Sequence, residues 1–184
     1  MSRFKYVDFS GSPPPARPFG QRLWGALTLD ATVYEEVEQY PQALGQATAV
    51  VVLAALARGI GELGQGAFIA GFLAGIAGWI VGTAIIWLIG VVILRLTSDF
   101  RELLRTLGFA SAPCLLYLLG VLPLGPVEPF FAFAVWGLAL VAWAIAVRQA
   151  LDVSTGYALS ICLLAALPNL FMVFLLSLLL YGMF

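Results

Sequence analysis

The chain has no histidine, only two cysteines among its 184 residues, and few charges, with nine Lys plus Arg and ten Asp plus Glu. Without histidine, Ser-His catalysis and histidine-based metal sites are excluded within the chain. Cys114 and Cys162 are too few for a disulfide scaffold, and both lie in apolar stretches where a thiol reads as a small hydrophobe. The formal net charge of −1, with no basic patch interleaved with aromatics, excludes a nucleic-acid partner. Glycines are frequent, but no lysine follows them in a phosphate-binding frame. No Asp, Glu, Lys or Arg lies centrally in a long apolar run, so intramembrane acid-base chemistry has no candidate group. These absences point to a protein that is not an enzyme and carries no cofactor or metal.

What is abundant is apolar surface. Sixty-two per cent of the residues are hydrophobic, more than a soluble domain of this size can cover with polar groups. Five apolar segments stand out, at about 42–60, 67–94, 106–124, 129–147 and 157–184. Each is long enough as a helix to approach or exceed the roughly 30 Å hydrocarbon layer. They are continuous rather than alternating, which favours helices over a β-barrel. The fold class expected is therefore all-α: a polytopic bundle of five transmembrane helices, residues 28–184, preceded by a Pro-rich flexible tail over residues 1–27. In that tail "GSPPPARPFG", Gly11 to Gly20, favours extended backbone.

Orientation follows from the basic residues. Arg3, Lys5, Arg17 and Arg22 precede the first span, Arg95, Arg101 and Arg105 separate the second from the third, and Arg148 follows the fourth. Only Arg58 falls on the other side. The positive-inside rule then places the N-terminus in the cytoplasm and the C-terminus outside. Asp99 and Glu102 have the spacing to cap a helix reciprocally, and Arg95 with Asp99 and Glu102 with Arg105 have helical pairing distances. Upstream, "TLDATVYEEVEQYPQ" predicts a short amphipathic helix before the first span, with Thr32 and Glu35 as its capping box. Its acidic face, Glu35, Glu36 and Glu38, is expected to contact Arg95, Arg101 and Arg105 or a partner's basic surface.

Small residues mark one face of the second span: Ala67, Gly71, Gly75, Gly78 and Gly82 recur every three or four positions, leaving a groove for another helix. Pro113 is expected to bend the third span and Pro168, followed by Asn169, the fifth. Ser111, Ser160, Thr48 and Thr83 are expected to return their hydroxyls to helical carbonyls. The five tryptophans are too scattered in sequence to read as a ligand cage.

The pre-span stretch "LWGALTLDATVYEEVEQYP", the five spans and the "FRELLRTLGFASAP" entry into the third resemble the Yip1-domain family of integral membrane proteins. The element Leu29 to Pro41, the glycine-aromatic pair Gly108 and Phe109 followed by Pro113, and Trp136 with "GLALVAWAIAVRQALDVSTGYAL" carry the resemblance, which covers Leu23 to Phe184. It implies an α-helical bundle; eukaryotic members take part in vesicle trafficking and associate with Rab-type GTPases. The chain lacks the long polar cytoplasmic domain and the "DLYGP" motif of many of them, and its compact loops fit a bacterial inner membrane. The leading functional expectation is a scaffold or accessory subunit, surrounded by membrane lipids, that binds another membrane protein or its own copy through the glycine face and the acidic helix. A small-solute permease hinged at Pro113 and Pro168 is the second reading, and a lipid-organising or scrambling protein the third.

Overall fold

A computed structural model describes residues 17–62 and 68–181. Among the described residues there is no strand. The described residues form seven α-helices: α1 (Phe19–Leu27), α2 (Ala31–Gln39), α3 (Ala43–Gly61), α4 (Phe68–Trp87), α5 (Phe100–Phe109), α6 (Glu128–Ala150) and α7 (Thr155–Tyr181). A π-helical turn, Leu88–Ile93, prolongs α4, and a 3-10 helix, Ala112–Val121, prolongs α5. Four helical stretches are each long and apolar enough to cross a membrane, and α5 with its 3-10 continuation, bent by 40°, makes a fifth if the pair is taken as one element. The chain is an integral membrane protein by that measure.

The tail expected over residues 1–27 is shorter than its prolines suggest. Phe19–Leu27 is helical, starting directly after Pro18, whose carbonyl accepts from the amides of Gln21 at 3.0 Å and Arg22 at 3.1 Å. Proline is compatible with a helix start because its missing N–H is needed by no one there. The buried Tyr34 hydroxyl donates to the Ala26 carbonyl at 3.1 Å and fastens α2 to α1. The cap of α2 also differs from the Thr32–Glu35 expectation. Asp30 takes the N-cap, accepting from the Thr32 amide at 3.0 Å and the Thr32 hydroxyl at 2.8 Å. A carboxylate at the positive pole of a helix is stabilised more than a hydroxyl.

Helix α3 forms the axis of the bundle. Its Ala43, Ala47, Ala54, Ala55 and Ala57 are all buried, and these small side chains let helices close in on several sides. A side chain at Gly108 of α5 would stand 2.8 Å from the Ala47 Cβ, and one at Gly120 would stand 3.2 Å from the Gly61 carbonyl oxygen. Since Ala47 is near the start of α3 and Gly61 ends it, residues 108–120 of the bent element run alongside most of α3. The other crossings alternate in direction. One end of the bundle therefore gathers α2, the start of α3, the end of α4, the start of α5 and the α6–α7 turn, where the Gln149 amide donates to the Ala31 carbonyl at 3.4 Å.

The third span is thus not the single bent helix expected over 106–124. Pro113 has no N–H to offer the Phe109 carbonyl, so α5 ends and the backbone tightens: Ser111 N donates to Gly108 O at 3.2 Å and Cys114 N to Ser111 O at 3.0 Å. In α7, by contrast, the helix runs unbroken through Pro168 from Thr155 to Tyr181.

Candidate functional site

At the end of the bundle that carries α1 and α2, charge is paired chiefly within the N-terminal segment. Arg22, only 2 % exposed, donates to Glu36 at 2.8 and 3.0 Å and to Gln46 at 2.7 Å, with its guanidinium 5.3 Å from the Tyr40 ring. Arg17 pairs with Glu36 at 3.2 Å and Asp30 at 3.5 Å. The Asp30 carboxyl is disfavoured by desolvation, yet its bonds from Thr32 and the nearby Arg17 outweigh this and leave it below the ordinary carboxylate range.

The contacts expected between the acidic helix and the arginine loop take another form. Glu35 is exposed, and neither Arg95 nor Arg101 makes an ion pair among the described residues. Arg95 sits in the left-handed region at φ 58°, outside helical register with Asp99. Asp99 and Glu102 do cap α5 reciprocally, at 2.7 and 3.0 Å. Arg105 points to the backbone, donating to the Glu38 carbonyl at 2.7 Å, and does not pair with Glu102. Its buried Nε has no partner. The Glu38 side chain instead meets a carboxylate. Burial first, then a hydrogen bond with Glu102 and the charges of Glu102, Asp152 and Glu35, push the Glu38 carboxyl up to about 8.

The glycine face of α4 is used inside the chain. A side chain at Gly75 would meet the Ala55 Cβ at 2.9 Å and its Cα at 3.0 Å, and one at Gly71 would meet the Glu62 carboxylate and, at 3.2 Å, the Gly59 Cα. Ala67, the first member of the face, lies outside the described residues. Two turns further on the face opens. A side chain at Gly82 would stand 2.7 Å from the Trp143 ring of α6 and 3.1 Å from Nδ2 of Asn169. Gly78 and Gly82 line a partly open cavity of about 230 Å³ walled by α3, α4, the 3-10 helix, α6 and α7.

Most of the cavity wall is alanine, glycine, leucine and aromatic rings. Trp79, Trp136 and Trp143 converge on it, which overturns the reading of the tryptophans as scattered. Trp79 is fixed from behind, its indole donating to the Leu104 carbonyl at 3.1 Å. Cys114 and Cys162, both free, also line it. The wall hydroxyl of Ser111 donates to the Leu107 carbonyl at 3.0 Å, and Thr83, Thr48 and Ser160 likewise bond to carbonyls one turn back. The Tyr117 hydroxyl, also in the wall, donates to the Ala132 carbonyl at 3.5 Å. Arg58 is held by Glu62 at 3.0 Å with its guanidinium 5.9 Å from the Tyr117 ring. Asn169 keeps its Oδ1 buried and without a hydrogen-bond partner.

Of the residues that sequence reasoning singled out, the cavity brings together Gly75, Gly78, Gly82 and Asn169, while Pro113 and Pro168 are not among its lining residues. Arg58, Tyr117 and the tryptophans were missed. A signal was present for two of them: Trp136 and Trp143 are seven apart and share a helix face, as do Cys162, Ala166 and Asn169 at successive four- and three-residue steps. No protein-family model, curated protein or solved structure matches this chain.

Proposed function

We propose that this chain is a non-enzymatic membrane permease for a small solute, with the intramembrane cavity as its substrate site. The observation that carries the reading is the Asn169 amide oxygen, buried and without a hydrogen-bond partner among the described residues, in the wall of a cavity lined by five elements. An unsatisfied buried acceptor costs about 1–3 kcal/mol, a cost that a bound donor removes. Functional cavities are typically apolar with a few convergent polar groups, and this one has that composition. Polar groups inside a membrane are costly and are a recurrent mark of substrate paths.

The scaffold reading has less support, because the surfaces it assigns to a partner are occupied in the chain itself. Gly71 and Gly75 face α3, and Glu36 is held by Arg17 and Arg22. Membership of the Yip1-domain family is part of the proposal, resting on the sequence features around Gly108, Phe109 and Pro113. So are a bacterial inner-membrane location, the cytoplasmic placement of the N-terminal helices with α2 lying on the membrane surface, and a C-terminus outside.

The test is uptake into proteoliposomes of defined lipid, using a mixture of small neutral solutes quantified in the lumen by mass spectrometry. A permease gives saturable uptake of one solute class, lost in Asn169→Ala at unchanged thermal midpoint. Uptake that is linear in concentration and equal for both proteins sinks the reading.

A further inference from the structure

The chemistry of the cavity wall narrows its occupant. Deepening the permease reading, we infer that the site takes an uncharged planar molecule, the size of one fused bicyclic ring, with a single N–H or O–H donor directed at Asn169. Indole is the simplest such compound.

Four properties of the wall lead there. Size comes first: an apolar cavity of ~150 Å³ admits benzene, so one of about 230 Å³ has room for a second ring. Charge comes next. Among the described residues no Asp or Glu lines the cavity, and Arg58, the one charged residue of its lining, is already paired with Glu62 at 3.0 Å. An ionic ligand would be desolvated without a counter-charge. Shape is the third, since Trp79, Trp136 and Trp143 offer broad π-surfaces that favour a planar guest over a branched one. The fourth is hydrogen bonding. The donors of Ser111, Trp79 and Tyr117 are already bonded to carbonyls, whereas Asn169 Oδ1 is a buried acceptor with no partner among the described residues. Its complement is a donor on the guest.

Cys114 and Cys162 are the only thiols in the chain and both line the site, so their rate of modification reports occupancy. The experiment measures methylthiolation of the full-length protein in lipid nanodiscs by methyl methanethiosulfonate, which converts each thiol to a methyl disulfide and releases methanesulfinate. Four compounds are added in turn: indole, 1-methylindole, tryptamine and indole-3-acetate. Indole is expected to protect, and 1-methylindole to need about tenfold more for equal protection, the worth of one net hydrogen bond. The two ions are expected to be weaker by on the order of a hundredfold. Because 1-methylindole partitions into lipid more strongly than indole, poorer protection by it is not a membrane effect. Asn169→Leu is expected to bring indole and 1-methylindole level.

Equal protection by the two on the wild-type protein, or stronger protection by either ion, overturns the inference. The wild-type series decides even if the variant fails to fold. Thiol protection is read at equilibrium and does not depend on transport. Saturable flux of a charged solute together with no preference for indole would therefore leave the permease reading standing and remove this one.

Discussion

Asn169 of α7 lies against Gly82 of α4, its Nδ2 only 3.1 Å from where a side chain at 82 would begin, with the Trp143 ring closer still at 2.7 Å. The glycine therefore sets the shape of the cavity by what it omits. In Gly82→Ala the added methyl meets side-chain tips rather than backbone, so Trp143 and Asn169 shift and the fold survives. Loss of affinity or uptake of about tenfold is expected, the equivalent of one hydrogen bond, with little change in thermal midpoint. Unaltered uptake in this variant would separate the cavity from function.

Gly75 gives the opposite balance. There a methyl group would meet Ala55 at its Cβ and its Cα, at 2.9 and 3.0 Å, and the backbone of α3 cannot step aside without α3 and α4 separating. Gly75→Ala is expected to cost roughly 1–3 kcal/mol, as overpacking does elsewhere. Gly137 faces open space, with nothing within 4 Å, so Gly137→Ala is expected to be neutral or to gain up to ~1 kcal/mol from helix propensity. Denaturation midpoints in one detergent compare the three proteins. Equal midpoints for Gly75→Ala and Gly137→Ala would mean that the α3–α4 contact is looser than its geometry.

The Glu38–Glu102 contact predicts a pH dependence whose sign is fixed. The Glu38 carboxyl lies near 8 in the folded chain against an ordinary 4.5, so between these values the folded protein holds a proton that the unfolded chain releases. Its contribution to stability is complete below about 4.5 and disappears as pH rises through about 8. Wild type is expected to lose thermal stability between pH 5 and 9, and Glu38→Gln, which stays neutral and keeps a donor toward Glu102, to lose less. Discounted for the solvent that still reaches this group, an effect on the order of 1 kcal/mol moves the midpoint by about 2–4 °C. Parallel profiles for the two proteins would rule out a proton at this contact.

How much of this was legible before folding depended on how local the cause was. The apolar segments at 42–60, 67–94 and 129–147 fall close to α3, α4 with its π turn, and α6, because hydropathy is a property of each segment alone. Asp99 and Glu102 cap α5 for the same reason, being three residues apart. Helix α1 was hidden because its most buried polar residue, Arg22, is satisfied by Glu36 and Gln46 on other elements. Charge complementarity sent Glu38 toward the arginines, but the register of α2 on α5 turned it toward Glu102, 64 positions later, and left Arg105 to a backbone carbonyl. The cavity was divided in the same way: Trp136 and Trp143 share a face by spacing, whereas their meeting with Trp79 and Asn169 exists only once α4, α6 and α7 have packed.

The bent third element decides the topology, and with it the sides of the membrane on which every loop lies. Gly108 against Ala47 and Gly120 against Gly61 lay residues 108–120 along α3 from its second turn to its end, the path a full crossing needs. If that element is a fifth crossing, Val127, 58 % exposed just before α6, lies across the membrane from the exposed Arg101. In a background with Cys114 and Cys162 replaced by alanine, single cysteines at Gln21, Arg101 and Val127 can be labelled with an impermeant maleimide in sealed, oriented vesicles. Positions 21 and 101 are expected to react from one side and 127 from the other. Labelling of 101 and 127 from the same side would reduce the crossings to four, return α6 and α7 to reversed orientations, and dissolve a cavity whose walls depend on all five elements.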